Sequence, residues 1–465
     1  MKSDTDIVVI GSGITGLTVA ARLRKLNYNV LVVEKNNAFG GVIRTLRKND
    51  FVYETGPNTG VLGSLEAVNL FNEFDNFTTP LNDAYHLEVA AKEAKNRFIL
   101  KKGEFRTIPS GPLSGLVTPL FKMKDKFRIL GEPFRKPGDN PDESLADFVR
   151  RRMGNSFLDY AVDPFISGIY SGNPELLITK YAFPKLYNLE QNYGSLIGGS
   201  IKKTKEHVDP QQKAVTRATF SAHGGLSNLT GALYNFIGSE NFIFSAADTS
   251  VDKLSDGYCV KFNLDDNACS INTKVVINTA GGYAFKDLYR FADADDVAHI
   301  SNLLYSGVVE CALGFKNYKG KPLNGFGGLI PSVENRRILG LLYMSTLFEN
   351  RAPKGGALFS VFMGGIRHLD MLEMSDDEIK SIVKQEVSQI MHITDFKPDL
   401  MEISRHKNAI PQYGKGSKER IEAIEKIEKE FPGFFIGGNI VGGIGMSDRI
   451  KQGELLASRV KDFLV

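Results

Sequence analysis

The sequence predicts an α/β fold in which a discontinuous Rossmann-like domain is joined by an antiparallel-sheet domain and an inserted helical module. Two observations lead to this prediction. Strand, glycine-turn and helix patterns occur at both ends of the chain, and aromatic and branched residues alternate with glycines from Tyr305 to Gly365. The chain has 465 residues, which is too long for one ordinary core, so two or three domains are expected.

The N-terminal pattern predicts a βαβ unit. It consists, in order, of a strand over 7–10, a turn with Gly11, Gly13 and Gly16, a helix over 17–26 and a strand over 30–33. Glycines at such a turn let backbone N–H groups at a helix N-terminus approach a pyrophosphate. Glu34 ends the second strand, eighteen residues after Gly16, where a carboxylate accepts hydrogen bonds from ribose hydroxyls and repels a 2′-phosphate. The unit therefore favours FAD or NAD over NADP.

Two further glycine-rich segments favour FAD over NAD. The pair Gly40 and Gly41, with the nearby cation Arg44, suits the same pyrophosphate, and Pro57 follows Gly56 a little further on. At the other end of the chain, a strand over 434–436 and a helix over 447–463 flank a second set of small residues, Gly437, Gly438, Gly442, Gly443, Ile444, Gly445 and Met446. This arrangement resembles the FAD-binding signature of the amine oxidase and desaturase superfamily, in which the last strand and helix return to the flavin.

The middle of the chain predicts the other two domains. Strand-like residues from Asn241 to Thr279 end in small residues that allow close backbone approach to a ligand. A proline-punctuated, apolar and basic stretch over 110–131 and a helical pattern over 144–152 predict the inserted module. The predicted domains are 1–85, 212–285 and 425–465 for FAD, 86–96, 201–211 and 286–424 for the substrate, and 97–200 for the helical module.

Four segments resemble one family of flavoproteins, the oxygen-dependent protoporphyrinogen oxidases. They are Asp163–Pro174, Leu189–Gly199, Gly325–Pro331 and Ala409–Tyr413. Together with both glycine-rich ends, the resemblance covers nearly the whole chain. One departure is Asn58, which occupies a position where some family members have arginine, and this departure makes carboxylate pairing at that end of the pocket doubtful.

The resemblance implies a six-electron oxidation of protoporphyrinogen IX to protoporphyrin IX in heme biosynthesis, with oxygen reduced to three H2O2. The flavin N5 accepts hydride, and no dedicated catalytic residue of the protein is expected. The alternative substrate is coproporphyrinogen III. An amine oxidase is disfavoured because the chain has no Trp and no Tyr after Tyr413. A porphyrin-binding flavoprotein without turnover is the alternative of another class.

The resemblance also implies the site residues. Arg97 pairs with a substrate propionate, Phe326 and Leu329 flank the macrocycle, and Gly168 and Gly172 bring backbone close to it. The cofactor residues expected from the motifs and the resemblance are Gly11, Gly13, Ile14, Thr15, Gly16, Glu34, Lys35, Gly40, Gly41, Arg44, Gly56, Pro57, Val251, Ala280, Gly438, Gly443, Ile444, Gly445 and Met446. A core role for Phe326 and Leu329, a surface role for Arg97 and plain turns at the two glycines are the competing interpretations.

Composition limits the remaining partners. Three scattered cysteines fit neither a disulfide framework nor a metal site, and no signal peptide or transmembrane helix is predicted. Residues 97–136 carry ten basic and three acidic residues, within a net charge of +3 for the chain. The basic and apolar residues over 110–136 suit contact with anionic lipid, against the alternative of a solvated basic face. We expect a cytoplasmic location with peripheral membrane contact and no nucleic-acid partner; the oligomeric state does not follow from the sequence.

Overall fold

The structure is a computed structural model that describes residues 4–80, 83–205 and 215–465. Its strands are β1 (Asp4–Ile10), β2 (Val30–Val33), β3 (Thr45–Lys48), β4 (Phe51–Glu54), β5 (Gly60–Val61), β6 (Leu87–Val89), β7 (Arg97–Lys101), β8 (Glu104–Thr107), β9 (Thr219–Ala222), β10 (Phe242–Ile243), β11 (Ala247–Lys253), β12 (Tyr258–Leu264), β13 (Asn267–Asn278), β14 (Tyr305–Phe315), β15 (Gly327–Leu329), β16 (Gly340–Tyr343), β17 (Ala357–Gly364), β18 (Leu400–Pro411) and β19 (Phe434–Ile436).

The α-helices are distributed through all parts of the fold. They are α1 (Ile14–Lys25), α2 (Leu65–Phe74), α3 (Pro112–Val117), α4 (Met123–Leu130), α5 (Leu145–Arg152), α6 (Asn155–Phe157), α7 (Asp163–Ile169), α8 (Thr179–Ala182), α9 (Pro184–Tyr193), α10 (Leu196–Lys205), α11 (Ser227–Ile237), α12 (Phe285–Leu288), α13 (Ala294–Ser301), α14 (Met344–Leu347), α15 (Asp376–Met391), α16 (Ser417–Glu430) and α17 (Met446–Leu464). No helix in these ranges is long and apolar enough to cross a bilayer.

The first sheet is the predicted Rossmann-like sheet. Its strand order is β10-β2-β1-β13-β12-β11, and β19 pairs with the second half of β13. β1 runs parallel to both β2 and β13, and β19 runs parallel to β13. Alternate residues of β1 enter the cores on opposite faces, since Ile7 and Val9 join one buried cluster while Val8 and Ile10 join the other. The carboxyl ends of β1, β2, β13 and β19 therefore meet at one edge of the sheet.

The second sheet confirms the predicted antiparallel sheet. Its order is β18-β14-β17-β16-β15-β7-β8, and only the β15–β7 pair among the paired strands is parallel. All residues of β14 are buried, and α15 covers one face through Val383 and Val387, which share a core cluster with Val309. This sheet supplies a rigid wall for the site described below.

One predicted domain boundary is corrected by the strand pairing. Residues 97–107 form β7 and β8 in the second sheet, whereas the prediction assigned everything from 97 to 200 to the helical module. These strands are five and four residues long and carry three basic residues and one acid, so no apolar strand pattern is evident there in the sequence. The predicted boundary between 211 and 212 lies outside the described residues.

The helical module has its own small core and a buried ion network. Leu145, Phe148 and Ile166 belong to one buried cluster. Arg152, which is fully buried, pairs with Glu132 at 3.1 Å and also contacts Glu190. Buried charges are tolerated when they are paired and hydrogen-bonded in this way. The network fixes the module that presents α7 to the second sheet.

Candidate active site

The glycine turn between β1 and α1 is built by close backbone contacts. A Cβ atom at Gly16 would lie 2.0 Å from the carbonyl oxygen of Gly11, and Gly11 has a φ of +96°. Gly13 is the N-cap of α1, and a Cβ atom there would meet no protein atom within 4 Å. The helix N-terminus is thus open toward the outside of the turn, which suits an incoming phosphate.

Glu34 is buried at the end of β2, so it is not a solvated acid. Its Oε2 accepts hydrogen bonds from the N–H and the hydroxyl of Ser12, at 2.9 and 2.7 Å. Its Oε1 accepts from the backbone and side-chain N–H groups of Asn36, at 2.9 and 2.7 Å. These bonds orient the carboxylate beside the turn, and each oxygen can accept more than one donor.

The second glycine pair lies directly against the first turn. The Gly40 N–H donates to the Ser12 carbonyl at 2.9 Å, and a Cβ atom at Gly41 would lie 3.2 Å from the Cα of Gly13. Gly56 packs against Val42, the residue that follows this glycine pair. A Cβ atom at Gly56 would lie 2.1 Å from the Val42 carbonyl oxygen. The remaining predicted residues of this region are Arg44 and Lys35, which are exposed, and Pro57, which is half-buried.

The C-terminal glycines meet the same edge of the sheet. A Cβ atom at Gly438 would lie 2.7 Å from the Thr279 carbonyl oxygen, and one at Gly11 would lie 3.0 Å from the Thr279 hydroxyl. Thr279 and the following Ala280 are thus held between the two ends of the chain. The Thr15 hydroxyl donates to the Arg449 carbonyl at 3.3 Å, which brings the N-termini of α1 and α17 together.

These contacts fit a dinucleotide. Two helix N-termini meet at one sheet edge. That of α1 is open, whereas at that of α17 the Gly445 N–H donates to Asp448, and the glycines beside them leave the backbone bare. The segment Gly443–Met446 leads into α17, whose N-cap is Gly445. Val251 differs from the rest, because its side chain is buried in the same core cluster as Val33; a contact with a cofactor would have to come from its backbone.

Four of the five predicted substrate residues lie in two contacting pairs on and beside β15, and we call these four residues the row. Arg97 on β7 is the register partner of Gly327, and its guanidinium lies 4.9 Å from the ring centre of Phe326. Leu329, at the end of β15, contacts α7, where a Cβ atom at Gly168 would lie 2.4 Å from the Leu329 Cδ2. The row therefore has a cation at one end and apolar surface along the rest.

Gly172 lies apart from this row. A Cβ atom there would lie 2.5 Å from the Oε1 of Gln412, whose Nε2 donates to the Tyr170 carbonyl at 3.1 Å. Gly172 is itself buried, so its contact with Gln412 accounts for the glycine. Its role in substrate binding stays a prediction, as do those of the other site residues.

The row is connected to the cofactor side through β9. The Arg97 Nη2 lies 3.5 Å from the Thr219 hydroxyl, at the start of β9. The next residue, Phe220, lies against Gly60, and Gly60 also faces the Met446 side chain at the N-terminus of α17. Thr219, Phe220 and Gly60 therefore connect Arg97 to the N-terminus of α17.

Sequence reasoning missed a buried polar group behind Gly56. The Asn58 Nδ2 donates to the Gly56 carbonyl at 2.9 Å and to Glu310 Oε1 at 2.6 Å, while its Oδ1 accepts from the Ser360 hydroxyl at 2.5 Å. Burial raises the pKa of Glu310 to about 8; the hydrogen bond from Asn58 opposes this rise and the charge of Glu54 adds to it. The sequence does contain an indication of this group, because Glu310 is the single acid in an otherwise uncharged strand.

The comparison with protein families decides the assignment. A family model described as flavin containing amine oxidoreductase matches residues 14–461. The chain belongs to this family. The protein is accordingly an oxidoreductase, and its cofactor is FAD.

Relatives of this oxidoreductase include porphyrinogen-oxidising enzymes. It is 28% identical to protoporphyrinogen oxidase 2 of Arabidopsis thaliana, over 98% of this chain and 94% of the relative. It is 27% identical to coproporphyrinogen III oxidase of Bacillus subtilis, over 98% of both chains. A crystal structure of a putative protoporphyrinogen oxidase from Exiguobacterium sp. 255-15 superposes with a TM-score of 0.80 at 20% identity, over 99% of both chains. The last comparison supports the fold alone.

Proposed function

We propose that the protein oxidises protoporphyrinogen IX to protoporphyrin IX in heme biosynthesis, with molecular oxygen as the final acceptor. The observation that carries the proposal is the row formed by Arg97, Phe326, Leu329 and Gly168. An apolar row that ends in a guanidinium suits an apolar macrocycle with a carboxylate edge. The names of relatives that match the chain along its full length support the same substrate class. Coproporphyrinogen III, with four propionates, is the alternative substrate.

The chain's own residues would bind and orient the macrocycle. Bound FAD supplies the acceptor for hydride from the substrate. Each turnover removes two electrons and two protons from the substrate, and one O2 becomes one H2O2; three turnovers give the porphyrin. Arg97 holds a propionate and Phe326 and Leu329 contact the rings, so the protein contributes orientation and exclusion of water rather than a proton-transfer group.

The test compares three reduced substrates on the purified holoenzyme. Under air, porphyrin fluorescence and peroxide are measured with protoporphyrinogen IX, coproporphyrinogen III and a primary amine. We expect three peroxides per porphyrin and the highest kcat/KM with protoporphyrinogen IX. Preference for coproporphyrinogen III would select the alternative substrate, and peroxide from the amine alone would replace the proposal with amine oxidation. Without air, failure of every porphyrinogen to bleach the flavin would leave only a binding protein.

Replacing Arg97 with glutamine is expected to lower kcat/KM for the porphyrinogen by roughly tenfold to a hundredfold, mainly through KM. A charge-assisted hydrogen bond to a carboxylate contributes about 1.5–3 kcal/mol, and this contact would be lost. The matched control is Arg106→Gln on β8, an exposed arginine in the strand that pairs with β7. Equal kinetics for Arg97→Gln and the wild type would contradict the assignment of Arg97.

We further propose that the helical module contacts anionic membrane surfaces and that the protein is otherwise cytoplasmic. Val117 and Phe134 are 82% and 90% exposed, and the cations Lys122, Lys124 and Lys136 are exposed close to them in sequence. Apolar insertion combined with basic residues is the usual basis of reversible binding to anionic lipid.

The double variant Val117→Ser/Phe134→Ser is expected to weaken binding to phosphatidylglycerol vesicles by at least tenfold, because both apolar contacts are removed. Cosedimentation measures the binding, and vesicles of phosphatidylcholine alone test the electrostatic part. Leu455→Ser is the control, since Leu455 is also exposed but lies on α17. Equal binding of the double variant and the control variant would contradict the proposal.

A further inference from the structure

The backbone before α17 is held by side chains that bind its carbonyl groups. We name residues 438–443 the C-terminal loop. Tyr413 donates to the carbonyls of Asn439 and Gly443, at 2.8 and 3.0 Å. Arg420 donates to the Ile440 carbonyl at 3.0 Å. Arg449 donates to the Val441 carbonyl at 2.9 Å and to that of Gly438.

This arrangement orients the loop's amide groups. In a trans peptide the N–H points opposite to the C=O, so carbonyls turned toward Tyr413, Arg420 and Arg449 turn the following N–H groups away from them. Within the part of the chain that the structure describes, the N–H groups of residues 442–444 donate to no protein acceptor. The loop therefore presents unused donors on the side opposite the two arginines.

Both arginines are buried, and neither forms an ion pair with a carboxylate in the described ranges. Arg420 is 3% exposed and Arg449 is 5% exposed, and their partners are backbone carbonyls, Ser417 and Gln452. The Nε of Arg449 is buried without a partner. Burial lowers the pKa of both guanidiniums, but from so high a starting value that they stay protonated. The nearby acid, Asp448, is exposed and accepts a hydrogen bond from the Gly445 N–H.

The contrast with the other buried arginines is informative. Arg152 pairs with Glu132, and Arg351 pairs with Glu54 at 3.2 Å. A buried charge without a carboxylate partner is costly even when carbonyls accept its hydrogen bonds, so two of them beside one loop favour a negative group there. The positive end of the α17 dipole adds to the same potential.

The flavin of bound FAD would supply that negative group when it is reduced. Glu34 and the N-terminus of α1 suit the adenosine and the phosphates, so the flavin belongs farther along, toward the row that begins at Arg97. The C-terminal loop and the start of α17 lie in that direction, since Met446 contacts Gly60 next to β9. Hydride transfer to a neutral flavin adds two electrons and one proton, which leaves the reduced flavin as an anion unless it binds a second proton.

We propose that Arg420 and Arg449 are positioning residues that act through the C-terminal loop to stabilise the reduced flavin as an anion and so raise its reduction potential. The proposal rests on bound FAD and on no particular substrate. It assigns a function to two residues that no motif in the sequence had singled out.

The test measures the reduction equilibrium of the FAD-bound protein against a reference dye, without any porphyrinogen. Arg449→Gln and Arg420→Gln are each expected to shift this equilibrium toward oxidised flavin by at least tenfold, which is about 30 mV for two electrons. Arg449→Lys keeps the charge but not the forked hydrogen bonds to the loop, and is expected to shift the equilibrium less than Arg449→Gln does. Arg459→Gln is the matched control, because Arg459 lies on the same helix but pairs with Glu428 at 2.7 Å.

A second measurement separates charge from loop geometry. The absorption spectrum of the reduced flavin, followed against pH, reports its ionisation, and both glutamine variants are expected to hold the neutral reduced form to higher pH than the wild type does.

An unchanged equilibrium in both glutamine variants would overturn the proposal, as would an Arg449→Lys variant that shifts as far as Arg449→Gln. If Arg449→Gln releases FAD, Arg420→Gln decides the question. Release of FAD from both would show that the arginines only build the loop, and would also overturn the proposal. Because no porphyrinogen is used, these results are independent of the proposed substrate.

Discussion

A Gly16→Ala protein is expected to retain no FAD and to unfold at a lower temperature even without cofactor. The added Cβ would lie 2.0 Å from the Gly11 carbonyl oxygen, so the turn must open. Gly13→Ala is expected to behave differently, because a Cβ at that position meets no protein atom within 4 Å but lies where a phosphate would bind. This second variant should fold normally and bind FAD at least tenfold more weakly.

Three measurements distinguish these outcomes. Flavin absorbance per protein gives the bound fraction, titration of the apoprotein with FAD gives the affinity, and thermal unfolding of the apoprotein gives the stability. Gly111→Ala is the control, since it adds a Cβ in open space within the helical module. A Gly16→Ala protein with normal FAD content would contradict the backbone geometry, and a Gly13→Ala protein with normal affinity would contradict the assigned phosphate site.

We expect the free energy of unfolding of the wild type to fall as the pH rises, and we expect Glu310→Gln to lack this fall. Burial raises the pKa of Glu310 from 4.5 to about 8, so the folded protein keeps a proton that the unfolded chain releases above pH 4.5. The stabilisation is complete below pH 4.5 and is lost as the pH rises through 8. Glutamine is an uncharged group of the same shape, and its oxygen still accepts from Asn58.

The expected difference is large. One pKa unit corresponds to about 1.36 kcal/mol, so the wild type should lose roughly 3 kcal/mol relative to Glu310→Gln between pH 5.5 and 8.5. Urea unfolding of the FAD-saturated proteins at both pH values measures the free energy of unfolding. The charge of Glu54 contributes to the raised pKa of Glu310, so its effect is part of the expected difference. Glu402→Gln, on the adjacent strand, is the control; parallel pH profiles for wild type and Glu310→Gln would refute the raised pKa.

Much of the fold could be predicted because local patterns determine it. The glycine turn, the apolar strands β1 and β2 and the terminal helix α17 are each determined by residues within one short stretch. β7 and β8 were misassigned because β7 pairs with β15, more than 200 residues later, β8 pairs only with β7 among the described strands, and both strands carry several charged residues. Pairing with a distant strand is hard to predict from the residues of a short charged segment.

The site was predictable only in part for the same reason. Gly11, Glu34 and Gly40 lie within one motif, but the contact between Gly438 and Thr279 joins segments that are remote in sequence. Glu310 gave a weak signal as an acid in an apolar strand. Arg420 and Arg449 gave none, because each lies in a helix rich in charged residues, and only the folded chain reveals which charges are buried.

Because β13 lies between β1 and β19, the first sheet is completed only late in the synthesis of these residues. β1 leaves the ribosome more than 250 residues before β13, and β19 follows more than 150 residues after β13. The glycine turn between β1 and α1 is therefore synthesised more than 400 residues before Gly438 and α17, which complete the site. A nascent chain in this interval exposes unpaired strand edges, which invites aggregation and engagement by chaperones. FAD supplied during synthesis can reach a complete cradle only after α17 has been synthesised.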